Sequence, residues 1–406
     1  MNILITMPSA SPTTATDMLR LVIITDFTES FANKLLKGIV TYSRLKEQWI
    51  IRRMPPAYKA QIGIPGVIRM AKEWRADAVV GQFEQSDDVS LFAKNGLVVV
   101  AQDFKKRFKT IPNITADYIG TGRMAARFFI DRGFRNFGFF GFKDVCWSDE
   151  RCEGFQREIW EAGFGDSFHI YNLQDIDRLW YYERDQLADW LRGLPKPIGI
   201  MACDDNQGNN LIEACHSAGI RIPSEISVMG VDNDELLCSL SNPTLSSIQV
   251  DIEDGGYRTA ELIERLVANP DAPREDIVLT PVKIVGRIST AAFATDDVQI
   301  QKAIQFIHQN YQKKISVKDV IGEVALSRRL LERRFKEVTG QTLYQYISDL
   351  KIKRFAELLL DTDEQVVGIA LSLGENDTKS ISRRFKQIYG CSPNEWREKN
   401  QKNKTK

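Results

Sequence analysis

Two aspartates stand just after short apolar runs and ahead of helical stretches, Asp204 after Ile198–Met201 and Asp232 after Ile226–Gly230. Asp26 and Asp117 hold comparable positions earlier in the chain. A carboxylate at the carboxyl end of a strand lies where open α/β sheets bind small molecules. Arg151, Trp147 and Phe27 add a forked donor and two aromatic faces to this set. Aspartates accept paired hydrogen bonds from adjacent hydroxyls, a guanidinium donates to ring oxygens, and an indole covers the apolar face of a sugar. Together they read as a sugar-type site. Asp26, Phe27, Gln82 and Asp103, on loops after strands of the first half, are further candidates. Plainer roles compete: Asp204 and Asp232 as helix caps, Arg151 as partner to Glu150 or Glu153 on its own helix, Trp147 as core.

A second chemistry is written twice near the end of the chain. ERRFKEVTG (Glu332–Gly340) and SRRFKQIYG (Ser382–Gly390) are near copies, each with Arg-Arg-Phe-Lys four residues before a helix-ending glycine. A short helical stretch and a tight turn precede each copy, Val317–Ala325 before the first and Val366–Leu373 before the second. That order is a helix-turn-helix unit, and a repeat is a stronger signal than either copy alone. Ser327 is the expected cap of the first arginine-bearing helix, and Asp377 or Thr378 that of the second. Between the copies, Leu343–Leu360 keeps a helical apolar period, which makes a rod of roughly 27–30 Å. Successive major-groove faces of DNA are about 34 Å apart, so both helices could enter neighbouring grooves. Arg328, Arg329, Lys379 and Ser380, early on these helices, are the candidate base readers. Arg333, Arg334, Arg383, Arg384 and Lys386 are candidate phosphate contacts or solvated cations, and Ser327, Lys336 and Thr378 complete the DNA-facing set.

The elements needed to position these groups are legible in the hydrophobic period. Short apolar runs alternate with amphipathic stretches of ten to fifteen residues, which predicts βαβ units and parallel sheets. Strands are expected at Leu21–Ile24, Ala78–Val80, Leu97–Ala101, Phe137–Phe140, Ile198–Met201 and Ile226–Gly230, with a last extended run at Val278–Val285. Helices are expected at Phe31–Lys46, Ile119–Arg132, Glu150–Ala162, Arg184–Arg192 and Asn206–Ala218. There are more units than one sheet needs, so two doubly wound lobes follow, with the small-molecule site in the cleft between them. The expected divisions are a leader over 1–18, an α/β sensor over 19–290, a linker over 291–297 that overlaps the small-residue run Ser289–Asp296, and an all-helical domain over 298–406.

Composition narrows the class. A chain of 406 residues needs more than one core. Its 54 Lys and Arg balance 54 Asp and Glu, but from Asp296 onward 21 basic residues face 15 acidic ones. The acidic excess lies in the body and the basic excess in the tail, which suits a tail that meets a polyanion. No apolar run reaches the length of a membrane span, and no export signal is evident. Six scattered cysteines without a CxxC pair, and only three histidines, form no zinc pattern and suit a reducing cytoplasm. GxSxG, Walker and HExxH signatures are absent, so neither catalysis nor a cofactor is expected. The competing class is a sugar-processing α/β enzyme with a helical dimerisation tail.

Family resemblance adds to this reading. The last 105 or so residues resemble the AraC-type transcription regulators through Ser327, Leu330, Phe335-Lys336, Gly340, Leu358-Leu359, Ile369-Ala370, Gly374, Asp377, Phe385-Lys386, Gly390 and Ser392-Pro393. Three positions depart from that pattern: Ala325 for a turn glycine, Glu375 for an aromatic after Gly374, and Ser380-Ile381 for an aromatic pair. Residues 20–288 resemble lactose-repressor-type sensors, whose fold is that of periplasmic sugar-binding proteins. The matching segments are Ala116-Asp117, Arg132-Gly133, Glu150-Arg151, Gly154-Phe155, Ala202-Cys203-Asp204, Gly219–Pro223, Ser227–Asn233 and Pro243–Ile248. The two together resemble the regulators of xylose operons. The resemblance implies Asp204, Asp232 and Arg151 as sugar ligands with Trp147 as a stacking wall. It further implies a pentose effector, D-xylose before other aldopentoses, a homodimer on double-stranded operator DNA, and activation through RNA polymerase.

Overall fold

The computed structural model describes residues 18–398 apart from 47–48, 106, 174–183, 296, 314 and 376, so the expected leader lies, but for Met18, outside the described residues. In the first lobe the chain runs β1 (Arg20–Ile24), α1 (Ser30–Leu45), β2 (Ile50–Met54), α2 (Pro56–Glu73), β3 (Ala78–Gln82), α3 (Ser90–Lys94), β4 (Val98–Gln102) and β5 (Asn113–Ala116). Next come α4 (Tyr118–Ile130), β6 (Asn136–Phe142), α5 (Cys146–Glu161), β7 (Phe168–Leu173) and α6 (Arg184–Gly193). The second lobe continues with β8 (Ile198–Ala202), α7 (Asp205–Ala218), β9 (Ile226–Val231), α8 (Glu235–Leu240) and β10 (Ser246–Val250). Then α9 (Ile252–Ala268) and β11 (Ile277–Leu279) return to the first lobe, and β12 (Pro281–Val285) joins the second sheet.

The two six-stranded sheets share one strand order, β2-β1-β3-β4-β5-β11 and β7-β6-β8-β9-β10-β12. The order reverses between β1 and β3 in one sheet and between β6 and β8 in the other. Neighbours β1/β3, β3/β4, β6/β8 and β8/β9 pair in parallel. Parallel strands covered on both faces read as unbroken apolar runs, which is why VVVAQ and ISVMGV were visible as strands. Helices α1 and α9 of the first lobe pack with their backbones touching: a Cβ on Gly38 would stand 1.9 Å from the Glu253 carbonyl oxygen.

The run Val278–Val285, expected as one strand, is two. Ile277–Leu279 pairs with β5 and Pro281–Val285 lies beside β10. At the break, the Thr280 amide donates to Asp251 Oδ1 at 2.6 Å and the Asp251 amide donates to the Thr280 carbonyl. Extended backbone has the same sequence signature whichever sheet it joins, and Pro281, which has no N–H, marks the change.

The small-residue segment expected as a linker is packed. Ser289, Thr290, Ala291 and Ala292 are buried, Ile288–Thr290 forms a 3₁₀ turn, and Phe293 packs against the first helical core. That domain consists of α10 (Val298–Asn310), α11 (Val317–Gly322), α12 (Arg328–Thr339), α13 (Leu343–Asp361), α14 (Val366–Ser372) and α15 (Thr378–Tyr389). It has two cores. Ile300, Ile304, Ile307, Leu331, Phe335 and the first half of α13 make one. Phe355, Leu359, Ile369, Leu373, Ile381 and Phe385 make the other. The 19-residue α13 belongs to both and spans about 28 Å. The repeat extends to backbone geometry: Gly340 and Gly390 both close their helices at φ 74°, donating to the Lys336 and Lys386 carbonyls.

Two of the family departures have local explanations. Ile381 is buried beside Phe385 and fills the second core itself. Glu375 accepts from Lys351 Nζ at 2.8 Å, and that lysine is only 5% exposed. A buried ammonium thus occupies the space next to the turn, and the acid after Gly374 is its counter-charge. Glu375→Ala should therefore destabilise the full-length protein by about 2–3 kcal/mol, below the ~3–5 of a fully buried pair because Glu375 is a third exposed. The double change Lys351→Met with Glu375→Phe should be near neutral by urea unfolding. An equal loss in both variants would contradict the counter-charge role.

Candidate functional site

In the second lobe the site is organised by Arg151 on α5. The helix can bring it there because α4 and α5 cross at a glycine: a Cβ on Gly122 would meet the Arg151 carbonyl oxygen at 2.1 Å. The guanidinium is 4% exposed and bridges two strand ends. Nη1 donates to the Cys203 carbonyl after β8, and Nη2 donates to Asp232 Oδ1 after β9 at 3.1 Å. Of its two candidate partners on the same helix, Glu150 accepts from Arg107 and Glu153 from Arg157. Asp232 keeps a fifth of its side chain exposed.

The Asp232 loop is under backbone constraint. Asp232 (φ 92°) and Asn233 (φ 47°) are consecutive non-glycine residues in the left-handed region. Three backbone donors hold them there: Asp232 N to the Ile248 carbonyl, Asn233 N to Ser247 Oγ at 3.0 Å, and Asp234 N to Asp205 Oδ2 at 2.7 Å. Asp234 then caps α8. Asp204 sits as expected after β8, but its Oδ1 accepts the Gln207 amide at 2.7 Å as the N-cap of α7. Burial raises the neighbouring Asp205 carboxyl to about 8, against the opposing effects of the Ser247 hydroxyl and the Asp234 amide, with the Asp232 and Asp204 charges adding to the rise. Asp205 is a neutral acid at pH 7, and sequence reasoning passed over it for the Asp204 beside it.

In the first lobe, Asp26, Gln82 and Asp103 do lie at the carboxyl ends of β1, β3 and β4. Asp26 closes an exposed turn by accepting the Thr28 amide and hydroxyl. Phe27 lies under the Arg53 guanidinium, 4.9 Å away. Asp103 is buried and engaged, accepting from Tyr118 Oη at 2.8 Å and Arg107 Nε at 3.3 Å, and burial raises its carboxyl. Arg107 reaches on to Glu150 with both Nη atoms, at 2.7 and 2.8 Å. Trp147 is half-buried in the first turn of α5, and Asp117 accepts the Gly120 amide at the start of α4. Arg107 and Tyr118 were not singled out from sequence; no spacing rule ties them to Asp103.

On the arginine-bearing helices the two copies divide their cations alike. The second arginine of each pair turns inward: Arg334 donates to Asp297 at 3.0 Å and Arg384 to Asp349 at 2.9 Å. The first, Arg333 and Arg383, is exposed, as are Arg328, Arg329, Lys336, Lys379, Ser380 and Lys386. Arg328 and Arg333 make surface pairs with Glu332 and Glu337 one turn on, which a polyanion can displace. Asp377 caps α15 at two amides with Thr378 as its first residue, whereas Ser327 stands at the cap position of α12 without a side-chain hydrogen bond.

Residues 126–290 match the periplasmic binding protein-like domain and residues 321–399 a helix-turn-helix domain. The chain is 25% identical to the xylose operon regulatory protein of Escherichia coli K12 across 94% of this chain and 97% of that protein. It is 28% identical to the Haemophilus influenzae protein of the same name, over 79% of this chain and 84% of the other. A solved xylose-binding transcription activator superposes with a TM-score of 0.62 at 25% identity, covering 94% of this chain and 98% of that one. The chain is thus a homologue of these regulators over nearly its whole length, with a sensor of periplasmic-binding type ahead of a helix-turn-helix domain.

The raised Asp205 carboxyl has a measurable consequence. A group whose folded pKa exceeds its unfolded value of 3.8 stabilises the fold fully below that value and loses the contribution as pH climbs to about 8. Asp205→Asn keeps a neutral side chain and removes the titration. The unfolding free energy of the wild type minus that of the variant should fall steadily between pH 4 and 8; parallel profiles would show that Asp205 ionises freely in the fold.

Proposed function

We propose that this chain, built like the xylose operon regulatory proteins it resembles, is a transcription regulator that binds a pentose, D-xylose first, at the strand ends of its second lobe. The observation that carries the reading is the Arg151 guanidinium shared between the Cys203 carbonyl and Asp232. It supplies a donor and an oriented carboxylate side by side, the pair that vicinal hydroxyls and a ring oxygen need. Asp204, one strand over, is the second acceptor in this reading. The choice of xylose comes from the relatives: the E. coli and H. influenzae proteins are named for the xylose operon, and the solved activator is described as xylose-binding.

The DNA side rests on the exposed cations. Arg328, Arg329, Lys379 and Ser380 face bases, and Arg333, Arg383, Lys336 and Lys386 face phosphates. Arg334 and Arg384 are assigned instead to holding α12 and α15 in place through Asp297 and Asp349. The sensor is taken to span 19–290 and the DNA-binding domain 298–406. Reversible binding without turnover, a cytoplasmic setting, a homodimer and contact with RNA polymerase belong to the same proposal.

Calorimetry of the full-length protein with D-xylose, D-ribose and L-arabinose tests it, alongside a duplex selected by binding from a random-sequence pool. D-xylose should bind tightest, and Asp232→Asn, which still offers Arg151 an acceptor, should weaken it about 10-fold, the difference between a charge-assisted and a neutral hydrogen bond. Affinity for the selected duplex in the absence of sugar should persist in that variant. Unchanged sugar affinity in Asp232→Asn would move the site elsewhere.

A further inference from the structure

We infer that Arg287 and Asn233 form the joint through which the sugar loop acts on the first recognition helix; this rests on the reading of Asp232 as a sugar ligand. Arg287 follows β12 and is neither a sugar-site candidate nor on the helical domain. Its Nη2 donates to Asn233 Oδ1 at 2.8 Å and its Nη1 to the Leu245 carbonyl at 2.8 Å. Its own amide donates to Ser246 Oγ at 2.7 Å. The residue adjoining Asp232 in the constrained turn is therefore tied, side chain to side chain, to the segment that leaves the sensor.

That segment is short and bonded at several of its described residues. Ser289 Oγ donates to the Val228 carbonyl at 2.6 Å and accepts the Ser246 amide at 2.8 Å, and Thr290 Oγ1 donates to Ser246 Oγ at 2.7 Å. The Ala294 amide donates to the Arg132 carbonyl at 3.0 Å, and the Arg132 guanidinium lies over Phe128 and beside Phe293. Phe293 meets Tyr346 of α13 edge-on, and Tyr346 Oη is within 2.9 Å of the half-buried His308 on α10. Desolvation, with the Arg132 and Lys353 charges beside it, holds His308 down to about 3, so its imidazole stays neutral at ordinary pH. Asp297 then caps α10 and pairs with Arg334 on α12. Ten residues beyond Arg287, the chain is already bonded to a recognition helix.

The left-handed pair at Asp232 and Asn233 is the element with two settings. Such a turn persists only while its surroundings over-determine it. A sugar hydroxyl at Asp232 competes with Arg151 for the carboxylate, shifts the 232–233 peptide, and moves the Asn233 carboxamide that Arg287 grips. A segment packed this closely transmits such a shift because packed interfaces switch between arrangements and do not deform smoothly.

The test uses the full-length protein and the selected duplex, with duplex affinity measured with and without saturating D-xylose. The wild-type ratio is the coupling factor, typically about 5- to 150-fold in proteins of this behaviour. Asn233→Gly fits the turn but lacks the acceptor, and Arg287→Met lacks the donor. In both, the ratio should collapse to near 1 while sugar affinity and sugar-free duplex affinity stay within about threefold of wild type. Asn233→Asp, which tolerates the left-handed turn and keeps an acceptor, should restore the ratio. Should Arg287→Met fail to fold, the two Asn233 variants decide. A wild-type protein that responds to D-xylose, with an unchanged ratio in Asn233→Gly, overturns the Arg287–Asn233 joint alone. A wild-type protein that does not bind D-xylose overturns the joint together with the reading beneath it.

Discussion

A guanidinium sealed from water must find an anion and a carbonyl, because an unpaired buried charge costs several kcal/mol. Arg151 is in that position, and much of the second lobe is arranged to meet its demand. The helix carrying it approaches only because residue 122 is glycine. The strand ends of β8 and β9 supply the Cys203 carbonyl and Asp232. Holding Asp232 there puts two consecutive residues in the left-handed region, and Asp205, Ser247 and Ile248 supply the bonds that keep them so. Asp205, buried under that loop, accepts the Asp234 amide even though burial raises its carboxyl. A site built from such mutually dependent parts suits a sensor. A ligand that competes for one partner of the charge perturbs all of them.

The helical domain solves a different problem. Its function needs cations on the surface, yet in each copy of the RRFK run two adjacent arginines crowd the same turn. The structure sends one of each pair inward to a fixed carboxylate, Asp297 or Asp349, and leaves the other outside. The inward arginines anchor each recognition helix to its own unit, α12 through the cap of α10 and α15 through α13. Since Asp349 also accepts from Gln341, α13 holds the loop before it and the second recognition helix with one side chain.

Much of this was legible in the sequence, for identifiable reasons. Parallel strands buried on both faces announce themselves as apolar runs, and the RRFK copies announce a duplicated unit. Short or polar strands did not show: β2 carries Arg52 and Arg53, β5 is four residues, and β10 reads SSIQV. The division of Val278–Val285 between two sheets was invisible because pairing partners leave no mark on an extended run. Asp232 and Arg151 could be chosen by type and position, but their partnership spans 81 residues and has no sequence period. The inward turn of Arg334 and Arg384 was hidden for the same reason, since each shares its turn with an arginine that stays exposed. Glu375 looked like a defect of the family pattern until Lys351 supplied its reason.

The central claim is a thermodynamic link between a sugar on the second lobe and DNA on the helical domain of one chain. Linkage is reciprocal, so it can be read from the sugar side with the unmodified protein. D-xylose affinity is measured by calorimetry in the absence of DNA and again with a saturating selected duplex. The account predicts two different dissociation constants, whose ratio equals the factor by which D-xylose changes affinity for the duplex. Identical constants, with both ligands binding, would contradict it.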